Sequence, residues 1–215
     1  VTKQNPKSPY AVVATYRALM KRGVQVTVPL QVLTTSVSAE GTSADWLRAL
    51  GLLAVARAAV SGSDLEPDAV NKYVSSLCNV LVGTHASQLR RLSCYVTVAG
   101  SRSDMFPYVL KEFSAAIDKD PQQVPNWVAD EVSFLGRRLL DGKNTPEASE
   151  LMGFAETLKD VADDYDRHAG LYFLAGEIFL ALEDVQRARA CLESAHVFAE
   201  GELRSHIEQL LLSLD

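Results

Sequence analysis

From residue 9 to residue 214 the apolar positions of the chain recur every three or four residues, and strand-like alternation is confined to VQVTV at 24–28. That period marks amphipathic helices, because residues three and four apart share one face of a 3.6-residue turn. Caps and breakers divide the pattern into about eleven helices, at 9–22, 29–38, 44–60, 67–82, 84–98, 104–117, 126–141, 146–164, 167–182, 185–199 and 202–214. Pro9, Pro29 and Pro67 open helices at a position where a missing N–H costs nothing. Gly23 and Gly83 close them, and Thr84 and Ser103 supply capping hydroxyls. VQVTV has no partner strand and reads as an extended connector. Loops of a few residues force antiparallel neighbours, so the expected fold is all-α, a row of helical hairpins stacked side by side. The segment DKDPQQVP at 118–125, with its two prolines, is the clearest boundary. It divides an N-terminal set of hairpins at 1–120 from a second part at 121–215. In the last helix, Leu203, Ile207, Leu210, Leu211 and Leu214 form an apolar stripe that suits a helix capping the stack.

Residues 169–202 read AGLYFLAGEIFLALEDVQRARACLESAHVFAEGE. Gly176 is a small residue where a first helix would meet a second, Ala188 and Ala195 are small at the two matching places on the second helix, and Phe179 and Leu192 fill the bulky places. This spacing resembles the tetratricopeptide repeat, a 34-residue helix–turn–helix unit. Glu183-Asp184 stands where that family usually has Gly-Asp, and Glu200 stands where it usually has proline. Sliding the same spacing upstream gives a second unit at 129–162, with Leu135-Gly136 at the crossing, Leu139 next, and Ala148, Met152 and Ala155 on the second helix. Residues 16–23, YRALMKRG, resemble the first helix of a pentatricopeptide repeat, an RNA-reading relative, although the helix that follows lacks that family's pattern.

The resemblance implies a right-handed stack of antiparallel helical hairpins, an α-solenoid, and a non-enzymatic scaffold or adaptor that binds protein, as a subunit of a larger complex. Repeats of this kind hold peptides or subunits on a concave surface lined by their first helices. By that likeness Tyr172, Glu177 and Leu180 are the expected partner contacts. The alternative is an organellar RNA-associated helical repeat protein that uses a basic N-terminal third.

Charge bears on that choice. The net charge is −6, but residues 1–60 hold seven Lys or Arg against two acids, 61–120 six against seven, and 121–215 eight against eighteen. The acidic last part repels phosphate and favours a basic protein segment. No run of about 18 apolar residues occurs, so no membrane span is expected. The start, VTKQNPKSPY, lacks the apolar stretch of a secretory leader, and an intracellular setting, cytoplasm or mitochondrial matrix, is expected. Cys78, Cys94 and Cys191 are odd in number and lack a CxxC pair. That argues against a disulfide framework and a Cys-rich zinc site, and they read as small buried residues.

Candidate chemistry does not assemble. His85, His168, His196 and His206 lack HxxxH or HExxH spacing, so no metal is expected. GRRLLDGKN at 136–144 ends in Gly-Lys, but five residues separate its glycines and Asn144 replaces the hydroxyl that would hold magnesium. The cluster Asp160, Asp163, Asp164 and Asp166 lacks the glycine and terminal glutamate of a calcium loop and reads as a solvated helix end. Neither an enzyme nor a cofactor is expected.

Overall fold

In the computed structural model, residues 56–57, 60–61, 63–82, 88–100, 102–142, 146–165 and 168–214 are described. Among them are eight α-helices and no strand: α1 Pro67–Val82, α2 Gln88–Ala99, α3 Phe106–Lys119, α4 Asn126–Leu140, α5 Ala148–Asp164, α6 Ala169–Ala181, α7 Val185–Phe198 and α8 Gly201–Ser213. The helices expected at 9–22 and 29–38, most of 44–60, the connector VQVTV, and Gly83 with Thr84 lie outside the described residues. Where helices were expected among the described residues they form, with ends moved by a few residues. The 104–117 segment begins as a 3-10 turn, Ser103–Met105, and becomes α-helical at Phe106. No helix among the described residues is long and apolar enough to cross a membrane.

Packing divides the chain between Met105 and Phe106. In the first unit α1 and α2 lie antiparallel. The Tyr95 hydroxyl donates to Asn71 Oδ1 at 2.8 Å, and Arg91 Nη1 donates to Asn79 Oδ1 at 3.2 Å. Val70, Val74, Leu77 and Cys78 of α1 are buried, as are Leu92, Cys94, Tyr95 and Val98 of α2. Arg102 pairs with Asp104 and reaches Ser63 Oγ at 3.5 Å, tying the segment before α1 to the turn after α2.

The second unit is organised by α6, whose sequence AGLYFLAGEIFLA holds one charged residue, Glu177. A helix apolar on all sides has no face for water and becomes stable only when neighbours surround it. Accordingly α6 packs most extensively on α7, then on α5, then on α4. Leu171, Tyr172, Phe173, Leu174, Ala175, Ile178 and Phe179 are all buried. Successive helices α4 and α5 pack on α6 and on α3 but not extensively on each other. The segment 118–125 belongs to this unit. Asp120 caps its 3-10 turn by accepting from Gln122 N, and the buried Tyr165 hydroxyl donates to the Val124 carbonyl at 2.7 Å. The expected capping stripe of α8 is buried fully only at Ile207, while Leu203, Leu210, Leu211 and Leu214 are half-buried.

Candidate functional site

The small residues of the repeat-like segments show how the helices meet. A Cβ added to Gly176 would come 3.0 Å from Leu192 Cγ and 3.5 Å from the Ala188 carbonyl oxygen, so α6 and α7 cross there with little space between backbones. Phe179, Ala188, Leu192 and Ala195 are buried around the crossing. The turn between these helices puts Glu183 at φ 60, the left-handed region that favours glycine, at the place where the resembled repeat usually carries one. Asp184 then caps α7, its side chain accepting from Arg187 N at 3.0 Å.

Gly136 behaves differently. A Cβ there would overlap Leu174 of α6 and lie 2.9 Å from Phe106 Cε2 of α3. It therefore stands at a close crossing, but not with α5, the helix the 129–162 spacing assigns to it. Leu139 and Ala155 are buried, Met152 is half-buried, and Ala148, the first residue of α5, is exposed. A seven-residue link between α4 and α5 leaves both helices free to pack on α6, the most apolar surface in the unit, and they do so in preference to each other.

The three expected partner contacts are also placed differently. Tyr172 is only 4% exposed, its hydroxyl donates to Asp163 Oδ1 on α5, and its ring stacks on Phe198. It is a core residue, on a side of α6 that its neighbours cover. Glu177 is half-buried and accepts from Arg137 Nε at 3.0 Å, with the Arg137 guanidinium also 4.4 Å from the Phe173 ring centroid. Burial, the largest influence, pushes the Glu177 carboxyl above its ordinary range despite that pairing. Leu180 is half-buried. Of the three, Tyr172 is thus enclosed, while Glu177 and Leu180 keep part of their surface exposed.

What the structure exposes instead is the outer face of α4. Trp127 and Phe134 are 51% and 57% exposed, seven residues apart, and so lie on one face about 10 Å apart along the axis. Val128, Ala129, Val132, Leu135 and Leu139 on the opposite face are buried, which leaves the two aromatics outside the core. Asp130 and Glu131 are exposed between them, and the Arg138 guanidinium sits 5.9 Å from the Phe134 ring centroid. The signal was present in the sequence as two large aromatics on the polar side of an amphipathic helix. The surrounding charge is acidic: residues 106–215 hold ten Lys or Arg against twenty-one Asp or Glu, a net of −11. A separate open groove of about 610 Å³ runs between α3 and α5, over Pro107, Leu110, Ala115 and Phe154, with Lys111, Asp118 and Glu150 at its edges.

Ser133, His168 and Asp130 bring the residue types of a hydrolytic triad near one another without forming a proton relay. Ser133 Oγ donates to the Ala129 carbonyl at 2.9 Å, His168 Nε2 lies 3.3 Å from Asp130, and His168 Nδ1 is buried with no hydrogen-bond partner. Burial, the largest influence, holds the imidazole below its ordinary value, against the attraction of Asp130. The ring instead stacks on Tyr165 at 6.1 Å between centroids. Among the described residues, no group of three or more His, Cys, Asp or Glu converges to hold a metal ion. Asp160, Asp163 and Asp164 stand at the end of α5, where Asp163 is engaged by Lys159 at 2.8 Å and by Tyr172.

Among the described residues the architecture is all-helical and organised, in the second unit, around one buried apolar helix. Comparison with protein-family models, curated proteins and solved structures finds no match to the chain.

Proposed function

We propose that the chain is a non-enzymatic helical-repeat scaffold of tetratricopeptide-like type, an adaptor or subunit that docks a basic protein segment on the outer face of α4. The observation that carries this reading is the exposed pair Trp127 and Phe134, set among Asp130 and Glu131 on an acidic unit. Half-exposed aromatics have apolar surface left to bury, and Trp is among the side chains that most often dominate interface energetics. A partner with apolar anchors and Lys or Arg beside them matches both features. The repeat class is supported by the Gly176 crossing and the left-handed turn at Glu183. The chain-wide arrangement proposed with it is the right-handed stack of hairpins expected from the sequence. An RNA-associated role rests on the basic first sixty residues, almost all outside the described ones, and a net of −11 after residue 105 opposes phosphate.

The test is affinity capture with the wild-type chain and the Trp127→Ala/Phe134→Ala variant side by side, eluted after a high-salt wash. Proteins retained by the wild type and lost from the variant, with an unchanged circular-dichroism melt, are expected. Identical retention by both removes α4 as the docking face, and tight RNA binding that weakens steeply with salt replaces the protein-scaffold reading.

A further inference from the structure

The groove between α3 and α5 is used neither by the core of the second unit nor by the face of α4, no residue of which lines it. Its two walls run side by side in the same direction, since Phe106 meets Phe154 at 5.5 Å and Phe113 meets Tyr165 at 6.1 Å, in the same order along both. Between them lies about 610 Å³ of open space, lined by buried Leu110 and by half-buried Pro107 and Phe154. Gly153 keeps it clear. A Cβ there meets nothing within 4 Å, so a partner's small side chain can lie directly against α5. The α3 side of the lining runs from Pro107 to Asp118, about 16 Å at the rise of a helix.

Three charges edge the groove, in an order set by the helices that carry them. Glu150 lies one turn before Phe154, at the end where α3 begins, and Asp118 lies in the last turn of α3, at the other end. Lys111 lies between them. All three are exposed, and none forms an ion pair among the described residues. The rim therefore reads acid, base, acid.

We propose that this groove docks one amphipathic helix of a partner protein, about three turns long, with Leu-type side chains facing Leu110 and Phe154. That helix carries Lys or Arg at its two ends and Asp or Glu between them. A helix fits where an extended strand does not, because the walls are themselves helices whose backbone groups are already bonded. An extended segment laid there takes its N–H and C=O groups out of water and finds no edge to pair with, whereas a helix brings its own bonds. Complementarity fixes the charge order: basic ends meet Glu150 and Asp118, and an acid between them meets Lys111. The same helix with its signs inverted sets like charges together at all three places.

Two synthetic peptides of about 14 residues, held helical by a side-chain crosslink because so short a helix is marginal in water, are measured against the full chain by fluorescence anisotropy. Both carry one stripe of Leu and Ala. One reads Lys, Glu, Lys along its flanks and the other Glu, Lys, Glu. The first is expected to bind at least about tenfold more tightly at low salt, with the ratio falling towards one at about 1 M salt. Gly153→Leu, which fills the groove from an exposed position, is expected to weaken the first peptide at least about tenfold without lowering the urea midpoint. The rim inversion Lys111→Glu/Asp118→Lys/Glu150→Lys is expected to reverse which peptide binds more tightly, and it decides the matter even if Gly153→Leu does not fold. Trp127→Ala/Phe134→Ala is expected to bind the first peptide as the wild type does. No binding of either peptide at about 1 mM overturns the proposal. So does equal binding of both at low salt, unchanged binding by folded Gly153→Leu, a preference that survives rim inversion, or loss of binding in the Trp127→Ala/Phe134→Ala variant.

Discussion

Replacing Gly136 and, separately, Gly153 with alanine measures what a close helix crossing costs in this protein. Both glycines are interior to helices, α4 and α5, so each substitution gains the same helix-propensity benefit of about 1 kcal/mol. They differ in what the new methyl meets. At Gly153 nothing lies within 4 Å, and the benefit stands alone. At Gly136 the methyl overlaps Leu174 and comes 2.9 Å from the Phe106 ring. Leu174 and Phe106 are fully buried, and Phe106 is held edge-on against Phe154 at 5.5 Å, so neither has empty space to move into. Overpacking of this kind costs about 1–3 kcal/mol, and because the propensity term is common, the difference between the two variants reads that cost directly. Gly153→Ala is expected to be the more stable protein, Gly136→Ala level with the wild type or below it. Gly176→Ala, whose methyl would meet Leu192 at 3.0 Å, is expected between them. Urea unfolding followed by circular dichroism gives the free energies, with an unchanged denaturant slope confirming that only stability has moved. Equal stabilisation by Gly136→Ala and Gly153→Ala would refute the crossing of α4 with α3 and α6.

Two further substitutions probe local strain and charge. Glu183→Gly is expected to stabilise the chain by about 0.5–1 kcal/mol in the same urea experiment, because relief of the left-handed conformation at φ 60 exceeds the entropy glycine adds to the unfolded chain; a loss of stability would contradict it. His168 has a folded-state pKa below its ordinary 6.5, so the unfolded chain takes up this proton at a higher pH than the folded chain does. Its contribution to stability is therefore complete above 6.5 and declines as the pH falls below it. The wild type is expected to lose more stability than His168→Gln between about pH 7.5 and about pH 5.5, and equal losses would sink this account.

How much of this was legible in the sequence depends on whether the signal was local. Helix type, and the crossing of α6 with α7, follow from residues on one hairpin. Gly176, Ala188 and Leu192 are brought together by a short turn, and the position of that turn marks Glu183 as the place for glycine. Gly136 carried the same small-residue signal, but the helix it meets was not readable, because a longer link frees α4 and α5 to seek α6 independently. The placement of Tyr172 was readable and missed. A repeat helix lining a concave surface needs a polar face, and AGLYFLAGEIFLA has a single charge, so the segment predicts burial all round rather than an open surface. α4 has the opposite character, with aromatics on its polar side, and by that criterion Trp127 and Phe134 are legible as exposed residues. Local period thus reports which face of a helix is buried, and it is the total apolar surface of each helix that decides which neighbour covers it. That is why α6, the most apolar helix of its unit, overrides the hairpin order that spacing alone predicts.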